Sequence, residues 1–209
     1  MQSESQARSI LAIDRYQSDD IRRLTSAVDN VAFALADVKD RAALKTAAGT
    51  IDSVDVLLCV SGILGSPLPL LDRPTSEPDP SEDIMNVFTV NVEGTFNGVH
   101  AFQDKIRHGG KIMLMSSTMA SMETATHTLN PAYSIAKAGL NMLGRKLAVE
   151  LKEREIDVIM MSPGVVRTEM NNGKGDISPQ QSVEGILREL SRTGTSGMFL
   201  RYDGQGWPW

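Results

Sequence analysis

Three short and almost uninterrupted apolar runs restrict what this chain can fold into. They occupy residues 54–60, 111–115 and 157–161, and segments with helical spacing of apolar residues separate them. Apolar runs of this length are typical of parallel strands that are buried on both faces. Strands that alternate with helices indicate a parallel sheet with helices on both sides. The sequence therefore predicts an α/β fold with a doubly wound parallel sheet in three α/β/α layers.

The predicted elements extend over the whole chain, so we expect a single domain over residues 1–209. Strands are predicted at residues 10–14, 31–36, 54–60, 111–115, 157–161 and 198–202. Helices are predicted at residues 19–28, 41–48, 81–107, 131–153 and 179–191, and Ile21 and Leu24 of the first helix are expected to face the core. Residues 64–80 hold five of the nine prolines and are predicted as a long loop. Residues 116–129 and the polar segment 171–178 are predicted as further loops, the latter as a mobile flap.

Composition narrows the range of partners. The net charge is −5 and no basic run is present, so nucleic acid and anionic membrane surfaces are poor partners. The single cysteine, Cys59, excludes an internal disulfide, and its place in an apolar strand favours a buried, inert thiol.

The histidines show no metal-ligand spacing, so we expect no metal site. No cleavable leader and no apolar run long enough to span a bilayer is visible, so a cytoplasmic protein is expected.

Tyr133 and Lys137 stand one helical turn apart, and Ser117 lies 16 residues before the tyrosine. Asn130 can cap a helix that Pro131 begins, so the pair is expected in the first turns of a long helix. An ammonium beside a phenol favours the phenolate and lowers the pKa of the tyrosine. The pair alone is more often an exposed pair on a solvated helix face. The surrounding sequence instead favours a site for proton transfer to or from a substrate oxygen.

Several further motifs follow in order along the chain. They are Asp37-Val38, Val90-Asn91-Val92-Glu93-Gly94, Ile112-Met113-Leu114-Met115-Ser116-Ser117, Pro163-Gly164-Val165-Val166-Arg167-Thr168, and the ending Phe199 to Gly204 with Trp207-Pro208-Trp209. With Ser117, Tyr133 and Lys137, these segments resemble the short-chain dehydrogenases/reductases, in particular the subgroup related to C-factor and to small carbonyl reductases. The resemblance runs from about residue 9 to the C-terminus. It implies a Rossmann-like fold.

The resemblance also implies an activity, the NAD(P)-dependent interconversion of a carbonyl and an alcohol. Tyr133 would be the general acid/base, and Lys137 would lower its pKa and hold the nicotinamide ribose. Ser117 would orient the oxygen of a small-molecule carbonyl or alcohol substrate, and Asn91 would maintain a water-linked proton path. The family resemblance also allows a homodimer or a homotetramer. The loops that would shape the substrate pocket contain no sequence motif that identifies the substrate.

The cofactor implied by the resemblance is NAD or NADP. Asp14 ends a strand where a dinucleotide fold places a ribose-binding carboxylate, although it can equally be a plain strand-end acid. Arg15 could favour a 2′-phosphate, so the choice between NAD and NADP stays open. The full set of positions implied for cofactor binding is Asp14, Asp37, Val38, Ser61, Gly62, Tyr133, Lys137, Pro163, Gly164, Val166 and Thr168.

Two departures from the family pattern are visible. Family members begin with a strand and a Thr-Gly-x-x-x-Gly-x-Gly turn that holds the pyrophosphate, whereas residues 1–9 are polar here and residues 10–14 match the family's second strand. The chain therefore resembles an N-terminally abbreviated member, and we expect weak or undetectable NAD(P) binding. In the second departure, Cys59-Val60-Ser61-Gly62 stands where the family usually has Asn-Asn-Ala-Gly.

The missing segment leaves alternatives open for both fold and function. In the fold, either residues 10–14 move into the vacated place in the sheet, or the neighbouring strands close the gap. In function, the main rival is a protein of this fold without redox activity. Such a protein would catalyse proton transfer, dehydration or cyclisation without a cofactor, or would serve as a signalling or partner-binding module. A third alternative is that about 20–30 residues precede Met1, the size of one strand-turn-helix unit.

Overall fold

The computed structural model of the protein describes residues 9–77 and 79–209. Residues 1–8, expected from the sequence to be a polar segment without a strand or a glycine turn, lie outside the described residues. Position 78, within the predicted loop 64–80, does so as well. In the described part of the chain, parallel strands alternate with helices that flank them. The α/β fold class predicted from the apolar runs is confirmed.

The elements follow the predicted order, and most of their ends agree with the prediction to within two or three residues. The strands are β1 Ile10–Asp14, β2 Val31–Leu35, β3 Val54–Cys59, β4 Ile106–Met115, β5 Asp157–Ser162 and β6 Phe199–Arg201. The helices are α1 Asp19–Ala27, α2 Arg41–Ala48, α3 Pro80–Phe88, α4 Gly94–Phe102, α5 Pro131–Glu150 and α6 Pro179–Leu190. A π-helical segment, Thr89–Glu93, joins α3 to α4 without a break. Short 3₁₀ turns cover Thr118–Ala120, Lys152–Arg154 and Glu169–Asn171.

One predicted helix ends too late. The helix expected over residues 81–107 stops at Phe102, and Ile106 already belongs to β4. The early start of β4 is set by pairing, because Ile106 lies opposite Val54 of β3 before the register shifts between Val54 and Val56. The buried side chain of Ile106 also joins the main core. Tertiary contacts therefore end the helix where the local sequence carries no break.

The N-terminal ends of the helices show how the local sequence determines where a helix begins. Ser178 and Gln181 form a reciprocal capping box around Pro179 at the start of α6. Asp40 caps α2 by accepting hydrogen bonds from two backbone N–H groups. Asn130 was expected to cap α5 in the same way, but it adopts a left-handed conformation with φ 50° and makes no side-chain cap bond. Of the two predicted start signals of α5, only Pro131 therefore acts as expected, as a residue of the first helical turn.

The strands form two separate sheets, one with the order β1-β2 and one with the order β3-β4-β5-β6. Neither predicted alternative for the vacated place is correct, since β1 has not moved beside β3 and the sheet has not closed around the gap. All five residues of β1 remain in register with β2. Both sheets instead rest on a shared apolar cluster built around Phe102, Ala47 and Ala48. We call the space between β1 and β3 the open slot.

The open slot leaves apolar surface exposed on one face. Val56, Leu58 and Val60 are 44%, 45% and 56% exposed, which corrects the prediction that residues 54–60 are buried on both faces. Helix α1 buries none of its residues, so Leu24, which is 48% exposed, does not face the core as expected. The main core lies instead between the four-stranded sheet and α5, where residues 112–114 of β4 and 158–162 of β5 are buried.

Candidate active site

The carboxyl end of β4 and the first turns of α5 bring Ser117, Tyr133 and Lys137 together. Ser117 follows β4, and its hydroxyl shares a hydrogen bond with the Tyr133 hydroxyl. The same Ser117 Oγ accepts a bond from the backbone N–H of Met119 at 3.2 Å, which fixes its orientation. Lys137 lies one turn after Tyr133, with its Nζ 5.5 Å from the centre of the tyrosine ring. These three predicted residues therefore form one cluster.

Lys137 is buried, with only 2% of its surface exposed. Its ammonium donates a hydrogen bond of 2.5 Å to the carbonyl oxygen of Met115, at the end of β4. Burial lowers the pKa of Lys137 from 10.5 to about 8, because the charged form loses hydration. The lysine is thus anchored to the strand that carries the serine, and its charge becomes sensitive to pH in a range that an enzyme can use.

The Tyr133 hydroxyl stays protonated at neutral pH. Burial raises the pKa of Tyr133 above 10.0, and the hydrogen bond from Ser117 opposes that rise only in part. The expected lowering of this pKa by Lys137 is therefore wrong for the protein in this state. Desolvation of the phenolate is the larger effect, and the Lys137 ammonium is bonded to the Met115 carbonyl. Tyr133 therefore carries its phenolic proton, and its hydroxyl is hydrogen-bonded to Ser117.

Asn91 lies in the π-helical segment and is completely buried. Its Nδ2 donates to the Ile63 carbonyl at 2.9 Å, and its Oδ1 accepts from the Ile63 N–H at 2.8 Å. The Asn91 side chain thus fixes the backbone that follows β3, in the way a neighbouring strand would. Its expected role in a water-linked proton path stays a prediction.

Gly62 connects this cluster to a neighbouring cavity. A Cβ atom added to Gly62 would lie 3.2 Å from Asn91 Oδ1 and 3.5 Å from Lys137 Nζ. The first of these separations is tighter than ordinary van der Waals contact, so the absence of a side chain here lets the backbone approach the cluster. Gly62 also lines the cavity at the carboxyl ends of β1, β2 and β3.

The cavity has a volume of about 320 Å³ and gathers many of the predicted cofactor residues. It is lined by Ile13, Asp14, Arg15, Tyr16, Ala36, Asp37, Val38, Lys39, Val60, Ser61, Gly62, Ile63 and Val90. The predicted positions Asp14, Asp37, Val38, Ser61 and Gly62 are all in this set. Sequence reasoning missed Lys39, although its place directly after Asp37-Val38 was a usable signal. The cavity therefore combines two carboxylates with the two cations Arg15 and Lys39.

The other predicted cofactor segment follows β5 and lies outside this lining. Ser182 Oγ donates to the Pro163 carbonyl at 2.7 Å, and Gly164 adopts a φ of +81° that a side chain would strain. Val166 forms a bridge with Ile177, and the Thr168 carbonyl accepts a bond from Gly173 N–H at 2.8 Å. Backbone contacts between its two ends thus hold residues 165–177 as a loop.

A second cavity of about 410 Å³ is lined by residues that neighbour Ser117 and Tyr133 in the chain. Its walls come from Leu70, Thr118, Met119, Ser121, Thr124, Ala125, His127, Thr128, Leu129, Pro131, Ser134, Ile135 and Trp207. Thr118 follows Ser117 directly, and Ser134 follows Tyr133. The walls are mostly apolar, with hydroxyl and imidazole groups at intervals. This lining suits the carbon skeleton of a small organic molecule.

Comparison with known proteins gives the family. The model of the family described as short chain dehydrogenase matches residues 3–177. The chain belongs to the short-chain dehydrogenase family. Among curated relatives of this family, C-signal of Myxococcus xanthus is 29% identical over 160 residues, which cover 75% of this chain and 93% of the relative. The uncharacterized oxidoreductase C663.09c of Schizosaccharomyces pombe is 28% identical over 184 residues, which cover 78% of this chain and 70% of the relative.

Solved structures agree with the fold of a short-chain dehydrogenase. The carbonyl reductase Sniffer of D. melanogaster superposes with a TM-score of 0.87 at 20% identity, covering 100% of this chain and 91% of the other. An NADPH-bound carbonyl reductase from chicken fatty liver gives a TM-score of 0.84 at 21% identity, covering 98% of this chain and 100% of the other. The predicted resemblance to C-factor and to carbonyl reductases is thus confirmed, in the second case at the level of the fold, and the chain is a member of an oxidoreductase family.

The turn after β1 follows the strand that matches the second strand of the family, so it is not the counterpart of the family's glycine-rich turn in this short-chain dehydrogenase. Between β1 and α1 the chain reads Arg15-Tyr16-Gln17-Ser18, without a glycine. Ser18 Oγ already caps α1 through Ile21 N–H, and the first turn of the helix carries Asp19 and Asp20. Carboxylates at a helix N-terminus oppose a bound phosphate, which such a terminus otherwise attracts. This turn is therefore unsuited to a pyrophosphate.

The described residues of this short-chain dehydrogenase contain neither a metal-binding cluster nor a membrane-spanning helix. Among residues 9–77 and 79–209, no group of three or more His, Cys, Asp or Glu side chains is placed to hold a metal ion. In the same part of the chain, every helix is too short or too polar to cross a bilayer.

Proposed function

We propose that this protein interconverts a carbonyl and an alcohol with NAD or NADP as the cofactor. The observation that carries the proposal is the Ser117–Tyr133 hydroxyl pair beside the buried Lys137. Two hydroxyls that share a hydrogen bond can both address one substrate oxygen, and one of them can give it a proton. The adjacent cavity at Gly62 and the family membership support a nicotinamide cofactor as the second reactant.

Only part of the cofactor fits the residues present. Asp14 with Arg15, and Asp37 with Val38, would hold the adenosine end in the cavity of about 320 Å³. Tyr133 and Lys137 would face the nicotinamide ribose, with Ser61 and Gly62 between the two ends and the segment Pro163, Gly164, Val166 and Thr168 beside the ring. When bound, the cofactor supplies or accepts a hydride. The family's glycine-rich pyrophosphate turn follows its first strand, whose counterpart is not among the described residues, and the turn after β1 does not replace it.

Residues of the chain itself would transfer the proton to the substrate oxygen. In the reducing direction, Ser117 Oγ and Tyr133 Oη hold the carbonyl oxygen, and Tyr133 donates its proton to that oxygen as negative charge develops there. Because the pKa of Tyr133 is raised, this donor stays protonated at neutral pH. Below a pH of about 8 the Lys137 ammonium remains charged and favours the phenolate that forms. The mostly apolar second cavity receives the rest of the substrate.

Replacing Tyr133 by Phe tests the assignment. Loss of the hydroxyl removes the acid, so the rate of NADPH-dependent reduction of a panel of aliphatic and aromatic ketones should fall by about 10²–10⁴. Ser117→Ala should leave the proton donor and raise the KM for the ketone as well as slow the reaction. The measurement is NADPH oxidation followed by absorbance, with circular dichroism as the folding control. Full activity of Tyr133→Phe would contradict the proposal.

Cofactor affinity is the second test of the same proposal. A hydrogen bond to a charged group contributes about 1.5–3 kcal/mol, and about 1.4 kcal/mol corresponds to a factor of ten in affinity. A site without two pyrophosphate bonds should therefore bind NADPH more weakly than a complete site, by about a hundredfold or more. Calorimetric titration with NADH and NADPH measures this, and Arg15→Ala reports whether a 2′-phosphate is recognised. Micromolar or tighter binding would show that another segment binds the pyrophosphate.

The second candidate is catalysis without a cofactor, supported because the described residues hold no glycine-rich pyrophosphate turn and the acidic first turn of α1, with Asp19 and Asp20, does not replace it. The Ser117–Tyr133 pair could then transfer protons at a substrate oxygen during dehydration, cyclisation or enolisation. Exchange of the α-hydrogens of a ketone in deuterated water, followed by NMR without nicotinamide, detects the last of these. Exchange that Tyr133→Phe abolishes would favour this candidate. A homodimer or homotetramer and a cytoplasmic location remain predictions for both candidates.

A further inference from the structure

The proline-rich loop over residues 64–80 contributes one wall of the second cavity. Of the described residues of this loop, Leu70 alone lines that cavity. The next residue, Leu71, is completely exposed, so the loop presents one leucine to the cavity and the other to solvent. The remaining walls come from residues 118–135 and from Trp207. The loop therefore reaches the cavity through a single side chain.

A buried ion pair holds this loop against helix α3. Arg73 Nη1 lies 3.6 Å from Asp83 Oδ2, and the two side chains are only 4% and 9% exposed. The Asp83 carboxylate also accepts the N–H of Ser66, at 3.2 and 3.1 Å to its two oxygens. Gly65 lets the backbone come this close, because a Cβ atom there would lie 2.7 Å from Asp83 Oδ1. The first residues of the loop are thereby fixed to α3.

Two further bonds of Arg73 fix the residues directly before Leu70. Its Nη2 donates to the Leu68 carbonyl at 3.2 Å, and its Nε donates to the Pro69 carbonyl at 3.2 Å. A guanidinium can make both bonds and the ion pair because its donors lie in one rigid plane, whereas a lysine ammonium has no such fork. The position of Leu70 therefore depends on an arginine that does not itself line the cavity.

The cavity that Leu70 lines has no fixed charge. None of the described residues around it is Asp, Glu, Lys or Arg, and His127 is the one among them that can become charged. A carboxylate or phosphate placed here would lose hydration without gaining a charged partner. Met119, Ile135 and Trp207 offer apolar and aromatic surface instead. This lining favours an uncharged ketone with an apolar or aromatic group.

We propose that Leu70 determines which substrates the cavity accepts and that Arg73 positions Leu70. The inference rests on the proposed function in one respect, namely that this cavity receives the carbon skeleton of the ketone. Leu70 limits the size of the group that an uncharged ketone carries away from its reacting carbonyl. Arg73 acts through Leu70 and touches neither the substrate nor the reacting atoms, so it is a positioning residue.

The probes are acetophenone, its 4-tert-butyl derivative, and phenylglyoxylate, in which a carboxylate replaces the methyl group of acetophenone. Trp209→Phe leaves Trp207 as the single tryptophan, and its fluorescence in this background reports binding at pH 8 without a cofactor. Acetophenone should bind, and phenylglyoxylate should bind at least about tenfold more weakly. Equal binding of the carboxylate, or no response to either ketone, would overturn the proposal.

Substitutions at Leu70 test the wall itself. The unsubstituted wall should favour acetophenone over the 4-tert-butyl compound. Leu70→Ala should shift the ratio of the two affinities about tenfold toward the larger ketone, and Leu70→Trp should shift it about tenfold the other way. Leu71→Ala, at the exposed neighbour, is the matched control and should leave the ratio unchanged. Equal shifts in Leu70→Ala and Leu71→Ala would refute a role of the Leu70 side chain.

Arg73→Lys tests the positioning role. The variant keeps the positive charge but loses the bonds to the two carbonyls, so discrimination between the ketones should fall at least about threefold. In a Leu70→Ala background the same substitution should leave the ratio unchanged, because Arg73 acts through Leu70. Arg22→Lys, in an exposed ion pair of α1, is the control and should change nothing. Unaltered selectivity in Arg73→Lys, or a shift that persists in Leu70→Ala, would contradict the positioning role.

Turnover with NADPH separates this inference from the proposed function. Arg73→Lys should change the KM values for the two ketones and leave kcat for acetophenone within about twofold, because Ser117 and Tyr133 are untouched. Binding ratios that follow Leu70 in a protein without NADPH turnover would support the inference and contradict the proposed function. Turnover whose selectivity does not respond to Leu70 would support the proposed function and overturn the inference.

Discussion

At the scale of single residues, burial decides the chemistry of the site more than charge proximity does. Tyr133 and Lys137 stand one turn apart, and their spacing was readable from the sequence. The pKa of Tyr133 is nevertheless raised, and that of Lys137 is lowered to about 8, because both groups lose hydration on folding. No sequence pattern reports how deeply a helix turn is buried, so the direction of the tyrosine shift could not be predicted.

Lys137 should make the stability of the fold depend on pH. Its pKa is about 8 in the folded protein and 10.5 in the unfolded chain. Below about pH 8 both states are charged and the folded state bears the full cost of burying the ammonium. Between about pH 8 and 10.5 the unfolded chain binds more protons, so the free energy of unfolding rises with pH. The total gain is about 3 kcal/mol.

The comparison with Lys137→Met isolates this effect. Urea unfolding of both proteins at pH 7, 8.5 and 10 should show the wild type gaining stability relative to the variant as the pH rises. Lys45→Met, which removes one charge from the exposed face of α2, controls for net charge. A difference between wild type and Lys137→Met that is the same at all three pH values would contradict the buried, shifted lysine.

At the scale of elements, the apolar runs predicted the strands and the helical spacing predicted the helices. The sequence reading failed where a long-range contact decides the end of an element. The segment between Phe102 and Ile106 has no glycine or proline, so only the pairing of Ile106 with Val54 shows that the helix has ended. The π-helical segment was likewise not predictable from the sequence, because its Asn91 is bonded to the backbone of Ile63, which lies far away in the chain.

Two glycines in helices give a prediction at this scale. A Cβ atom on Gly144 of α5 would lie 2.1 Å from Met160 Sδ of β5, whereas one on Gly98 of α4 would meet only Cys59 Sγ at 4.0 Å. Gly144→Ala should therefore destabilise the protein by about 1–3 kcal/mol through overpacking. Gly98→Ala should stabilise it by up to about 1 kcal/mol through helix propensity.

Thermal and urea unfolding of the two variants measure the difference. Because the substitution is the same and both sites are helical, the sign of the change reports packing alone. Equal effects at the two positions would mean that α5 does not approach β5 as closely as the structure has it.

At the scale of the whole molecule, the two sheets share side-chain contacts, and no strand pairing joins them within residues 9–77 and 79–209. The two-stranded sheet depends on β1–β2 pairing and on the cluster around Phe102. The four-stranded sheet has a larger core with α5. Parts of a protein with fewer buried contacts open more readily. The two sheets should therefore differ in local stability, a property that the resemblance to complete family members did not predict.

Native-state hydrogen exchange should resolve this difference. Amides of β1 and β2 should exchange by a local opening of lower free energy than the opening that exposes β5. Phe102→Ala should speed exchange in β1 and β2 more than in β5, whereas Leu140→Ala, in the core of the four-stranded sheet, should speed both. Exchange of all three strands with one common free energy would show that the molecule opens as a single unit.

The unpaired edge of β3 also sets a limit on handling the protein at high concentration. Exposed edges that carry apolar residues are templates for edge-to-edge association, and strands with few charges lead most readily to ordered aggregates. The Asp55 carboxylate, paired with Arg107 at 2.5 Å, is the charge that β3 itself contributes against such stacking. Solubility in vitro should therefore fall when Asp55 is neutralised, even though the residue contributes nothing to the core.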